Sequence, residues 1–126
     1  MLVLDSGGVS RLSARTKTAG ALIRSLVDQE LWPPVVPTMV LGESLQGHAD
    51  RDANANRFLK ASIIETNVDE ATARRAAQLR RLAPAGSAVD ALLVALAEPG
   101  GTVLTGDRAD LEALAAHADR VAIEVI

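Results

Sequence analysis

The chain has no cysteine and no tyrosine, and only one tryptophan and one phenylalanine in 126 residues. Without thiols there is no disulfide, no thiolate zinc site and no cysteine nucleophile, and the composition fits a reducing compartment. At 2% aromatic residues the chain lacks the material for a base-stacking platform. No apolar run approaches the roughly 20 residues of a bilayer span. Met1-Leu2-Val3-Leu4 has neither the basic leader nor the length of a signal peptide, so a cytoplasmic location away from membranes is expected. Positive charge is not in excess either: 13 Lys and Arg stand against 16 Asp and Glu, a net charge of −3. That balance argues against indiscriminate coating of nucleic acid, while a local basic rim could still guide RNA to an acidic site.

What is present is aliphatic. Hydrophobic residues make up 48% of the chain, so a core of Ala, Leu and Val is expected, and the length suits one domain spanning 1–126. Short apolar runs at Met1–Leu4, Val35-Val36, Ile63-Ile64, Thr102–Thr105 and Val121–Ile126 read as five strands. Between them lie amphipathic stretches. Ala19, Leu22, Ile23, Leu26 and Val27 share one helical face, as do Val68, Thr72, Ala76, Leu79 and Ala83. Trp32-Pro33-Pro34, Pro84 with Gly86, and Pro99-Gly100-Gly101 break the pattern. Residues 51–60 read as an exposed helix with a solvated basic face. Strands alternating with helices imply parallel pairing through right-handed crossovers, hence a three-layer α/β/α sandwich.

Four acids stand out because nothing nearby neutralises them. Asp5 ends the first strand, at the sheet edge where open α/β folds bind ligands, although it could equally cap a helix starting in the Ser6-Gly7-Gly8 turn. Glu43 has Met39, Val40 and Gly47 at helical pairing positions, none of them a cation. Asp90 is the only charge in an otherwise apolar helix from Ala88 to Ala97, where Ser87 and Asp90 also have capping-box spacing. Asp107 follows the fourth strand as Asp5 follows the first, with a cap as the alternative role, and Asp110 lies one turn on. If the first and fourth strands are neighbours, the four carboxylates converge. Two such charges about 4 Å apart repel by roughly 4 kcal/mol at an effective dielectric near 20, so the cluster calls for a cation. An all-oxygen donor set suits Mg²⁺ or Mn²⁺ and metal-assisted hydrolysis of a phosphodiester.

In order and spacing, LVLDS, VPTMVLGESL, SAVDALLVALA and VLTGDRADLEAL resemble the PIN-domain ribonucleases. Within them the paired helices after the first two strands and the Thr-Gly-Asp-Arg-Ala-Asp segment look like the VapC-type toxins of toxin–antitoxin pairs. That resemblance implies a five-stranded parallel sheet in the order 3-2-1-4-5, Mg²⁺- or Mn²⁺-dependent cleavage of RNA, a homodimer, and neutralisation by a cognate antitoxin. It places the catalytic and metal-binding quartet on Asp5, Glu43, Asp90 and Asp107, with Ser6, Thr105 and Asp110 in support. The Gly7-Gly8 pair departs from the family, which usually carries bulkier residues there. Arg11, Arg15, Lys17 and Arg108 flank Asp5 or Asp107 in sequence and are expected to guide RNA phosphates. The alternatives are a catalytically inactive RNA-binding or interaction module on the same fold, and a phosphoaspartyl enzyme or switch. The latter would need a second aspartate two residues after Asp5, or a lysine after Asp107, and has neither.

Overall fold

The computed structural model describes residues 1–126. In chain order the elements are β1 (Leu2–Leu4), α1 (Ser6–Ser13), α2 (Lys17–Asp28), β2 (Val35–Pro37), α3 (Thr38–Ser44), α4 (Ala53–Lys60), β3 (Ile63–Glu65), α5 (Glu70–Leu82), α6 (Ala88–Ala97), β4 (Thr102–Thr105), α7 (Ala109–Ala115) and β5 (Ala122–Val125). The strands form one all-parallel sheet in the order β3-β2-β1-β4-β5. Helix α1 packs on α2, α3 and α4, and α6 packs on α5 and α7. Two helical layers therefore sandwich the sheet. No helix is long and apolar enough to cross a membrane.

Burial explains why the short aliphatic runs become strands at particular places in the sheet. Leu2, Val3 and Leu4 of β1 are all buried, as are Val103 and Leu104 of β4, whereas β3 and β5 at the edges are largely open. A central parallel strand is covered on both faces and so reads as a continuous apolar run. The 22 residues of the core are Leu, Val and Ala plus Phe58. Trp32, partly buried, sets its ring edge-on to Phe58 with centroids 6.0 Å apart.

Several local expectations shift. Asp5 does take the alternative role of a cap: α1 opens at Ser6, includes Gly7 and Gly8, and has Asp5 as its N-cap. Helix α3 begins at Thr38 directly behind Pro37, and no side chain caps that end. Asp107 lies short of α7, which begins at Ala109 behind Arg108. Val27, placed on the apolar face of α2 by spacing, is 50% exposed although its neighbour Leu26 is buried in the core, so the buried face of α2 is narrower than the spacing suggests. Val121 and Ile126 fall outside β5.

Two carboxylates hold loops in place. Glu98 receives Arg75 Nε and Nη2 at 2.8 and 3.0 Å and the Asp119 N–H at 2.7 Å, while Arg75 Nη2 also donates to the His117 carbonyl. This joins α5, the end of α6 and the turn before β5. Asp52, nearly fully buried, accepts the N–H groups of Gln46, Gly47 and His48. The Arg75 hydrogen bonds hold the Glu98 carboxyl below its ordinary value, and the Gln46 N–H does so most strongly for Asp52. A group depressed in the folded state contributes its full stability above the unfolded value and loses it as pH falls toward the lower folded one. Urea midpoints are therefore expected to hold steady near neutrality and to fall below the ordinary glutamate value of 4.5. Glu98→Gln should flatten the upper part of that fall.

Candidate acidic site and adjoining cleft

Leu4 of β1 and Leu104 of β4 are register partners, so Asp5 and Thr105 emerge side by side at the carboxyl end of the central strands. Asp5 Oδ1 accepts the Gly8 N–H at 2.7 Å, and its Oδ2 accepts the Thr105 hydroxyl. Thr105 is fully buried, and its oxygen accepts the Asp107 N–H at 3.0 Å. The Asp107 carbonyl also lies 2.9 Å away, but the one hydroxyl proton goes to the charged acceptor, which binds it more strongly. A single buried hydroxyl thus ties the Asp5 carboxylate, just after β1, to the backbone of Asp107, just after β4.

The loops that carry them touch backbone to backbone. A β-carbon on Gly7 would lie 2.8 Å from the Gly106 nitrogen, and one on Gly8 would lie 2.6 Å from the Leu104 carbonyl oxygen. No side chain fits at either position. The Gly7-Gly8 pair, which departs from the resembled family, is what lets this edge close.

Asp90 caps α6 reciprocally: its Oδ2 accepts the Ser87 N–H at 2.9 Å, and its own N–H donates to Ser87 Oγ at 3.1 Å. Just before this cap, Gly86 has φ +69, and a β-carbon there would meet Asp90 Oδ2 at 2.8 Å and Asp110 Cβ at 3.1 Å. Asp90 and Asp110 therefore border one point, with Asp110 in the first turn of α7, three residues on from Asp107. Glu43 is exposed in the last turn of α3. It lines a cleft of about 330 Å³ with Ser6, Ser10, Ser13, Arg51 and Asn54, and none of the other four acids lines that cleft. Ser6, next in sequence to Asp5, connects the cleft to the acidic edge.

None of these five acids has a cation. The salt bridges are Arg74–Glu70, Arg75–Glu98, Arg108–Glu112 and Arg120–Asp119. Arg108, expected to guide phosphates, is thus drawn toward Glu112 at 3.6 Å. Arg11, Arg15 and Lys17 are exposed between the end of α1 and the start of α2 and form no salt bridge.

The donor set is all oxygen and anionic, which fits a hard divalent cation. Asp5 accepts only one hydrogen bond per oxygen, so lone pairs remain for a metal on both. Side-chain positions are not closed around an ion, however: no group of three or more His, Asp or Glu is placed to hold one. Of the four acids, Asp5 is linked through Thr105 to the Asp107 backbone, Asp90 meets Asp110 at Gly86, and Glu43 lines the cleft. No protein-family model matches the chain, and a search of curated proteins finds no match.

Nothing in the local pattern singles out Arg51 and Asn54, which lie in a segment read as a solvated face. Ser6, Ser10 and Ser13 were legible in principle, since their spacing puts them on one side of α1 once that helix is known to start at Ser6.

Proposed function

We propose that the chain is a divalent-metal-dependent endoribonuclease of the PIN type, a VapC-like toxin held in check by a cognate antitoxin and working as a homodimer. The observation that carries this reading is the Asp5–Thr105–Asp107 link across the two central strands, at an edge where Asp90 and Asp110 also meet and no cation pairs with any of them. Carboxylates that follow neighbouring central strands of a parallel sheet, with no cation paired to them, are suited to a cation rather than to stability.

Asp5, Asp90 and Asp107 would hold Mg²⁺ or Mn²⁺, with Glu43 contributing from the cleft side. Such an ion lowers the pKa of its bound water and neutralises charge developing on the scissile phosphate. The protein's own part is positional. The Gly8 N–H and the Thr105 hydroxyl fix the Asp5 carboxylate, the Ser87 N–H fixes that of Asp90, and Arg11, Arg15 and Lys17 offer unpaired cations for the RNA backbone.

The test is cleavage of end-labelled RNA with and without Mn²⁺, paired with calorimetric titration of the metal. Cleavage that needs the metal and stops in excess chelator is expected. Cleavage that continues in chelator removes the mechanism, and RNA binding without cleavage at any metal concentration favours the inactive binding module. The toxin reading further expects that expressing this chain arrests growth and that the product of a neighbouring reading frame relieves the arrest.

A further inference from the structure

The cleft beside Glu43 is built differently from the acidic edge. One wall is the face of α1 that carries Ser6, Ser10 and Ser13, and the other holds Arg51 and Asn54 at the start of α4. Gln46 and Asp52 also line it, Gln46 from a loop whose N–H groups at residues 46–48 are taken up by buried Asp52. That loop is anchored, and with its amides occupied, recognition falls to side chains. Only Val9 and Ala55 in the lining are apolar, which excludes a ligand held by hydrophobic contact.

Two features mark unmet bonding capacity. Ser44, also in the lining, has a buried hydroxyl with no hydrogen-bond partner, a rare condition for a folded protein. Arg51 is the one cation of the cleft and forms no salt bridge. A planar guanidinium favours a phosphate. The carboxylates of Glu43 and Asp52 in the same walls disfavour an acidic peptide or more than one phosphate inside the cleft. The amides of Gln46 and Asn54 each present a donor beside an acceptor, the pattern that pairs with the N6–N7 edge of adenine. A volume of about 330 Å³ lies within the range of small-molecule pockets.

We infer that this cleft is a nucleotide-recognition subsite: Arg51 takes one phosphate, the serine row contacts the sugar, and Asn54 with Gln46 reads an adenine edge. The inference rests on the ribonuclease reading for its place in the reaction. There the subsite receives an unstacked nucleotide of single-stranded RNA beside the scissile phosphate, entering past Ser6, and so ties the cut to a base. Recognition by hydrogen bonds to a splayed base suits a protein with almost no aromatic residues to stack on.

The experiment titrates AMP, GMP, CMP, UMP, adenosine and ribose 5-phosphate into ¹⁵N-labelled protein without metal. AMP is expected to bind most tightly, shifting the amide signals of Gln46, Gly47, His48 and Asn54. Asn54→Ala should weaken AMP about tenfold, the worth of a lost amide–base pair. Arg51→Gln should weaken AMP while leaving adenosine unchanged. Both residues are exposed, so the fold survives either change, which circular dichroism confirms. Shifts confined to other regions, or ribose 5-phosphate binding as tightly as AMP, would overturn the subsite. Protein that cuts RNA yet ignores AMP here loses the subsite alone. Protein that binds AMP here and never cuts RNA keeps the subsite and loses the ribonuclease reading.

Discussion

Replacing Asp5 with asparagine is expected to reduce RNA cleavage about a hundredfold or more while leaving the fold nearly untouched. The reason lies in what each oxygen of Asp5 does. Its Oδ1 caps α1 through the Gly8 N–H and its Oδ2 accepts from Thr105. An asparagine keeps the capping oxygen, and its amide nitrogen can donate to the Thr105 oxygen, whose proton then turns to the Asp107 carbonyl 2.9 Å away. Structure is retained and the negative charge is lost. Asp5→Ala, by contrast, removes the cap as well, at a cost of about 1 kcal/mol, so the two variants separate chemistry from stability. Thermal melts, metal titration and cleavage rates on both proteins make the comparison. If metal affinity is unchanged in Asp5→Asn and in Asp107→Asn alike, the metal does not sit at this edge.

The same exchange of glycine for alanine should have opposite signs at two positions in helices. At Gly20 in α2 the new methyl would find its nearest neighbour, Arg24 Nη1, at an ordinary 3.7 Å. Helix propensity then dominates, and Gly20→Ala should stabilise by about 0.5–1 kcal/mol. At Gly8 in α1 the methyl would lie 2.6 Å from the Leu104 carbonyl oxygen, a backbone atom in a central strand that cannot turn aside. Overpacking costs about 1–3 kcal/mol or more, which outweighs the propensity gain. Gly8→Ala is expected to lower the melting temperature by about 5 to 10 °C and, by pushing the first loop off β4, to impair cleavage. Gly8→Ala melting no lower than wild type would mean that α1 docks more loosely than the close contact implies.

The helix–strand alternation was legible because burial enforces it: a run such as Leu2-Val3-Leu4 has no polar face, and Ala76 and Leu79 recur at helical spacing. The order of the strands is written in no local pattern and entered only with the family resemblance. Helix starts were less legible. The capping box at Ser87 and Asp90 could be read from spacing alone, but α3 starts behind Pro37 with no side-chain cap to announce it, and Gly7-Gly8 looked like a turn although both residues are helical. Glycine there is demanded by the distant backbone of Leu104 and Gly106, which no window of sequence around residue 8 contains. The acids were found because each lacks a local cation. How they group was not, since the meeting of Asp90 with Asp110 depends on Gly86 and on the docking of α6 against α7. The cleft stayed hidden for a similar reason: its walls come from α1 and α4, about forty residues apart, and Asp52 in its lining bonds to amides four to six residues before it.

The scarcity of aromatic rings has an optical consequence. Trp32 is the only indole, there is no tyrosine to compete with its emission, and the ring stands edge-on to Phe58, one helical turn along α4 from Asn54. Ultraviolet excitation of the unlabelled chain therefore lights a single lamp, mounted against the helix that walls the cleft and remote in sequence from every acid of the edge. A colour shift or quenching of that emission on adding a nucleotide would be a signal from the neighbourhood of α4, readable in a cuvette before any isotope is incorporated.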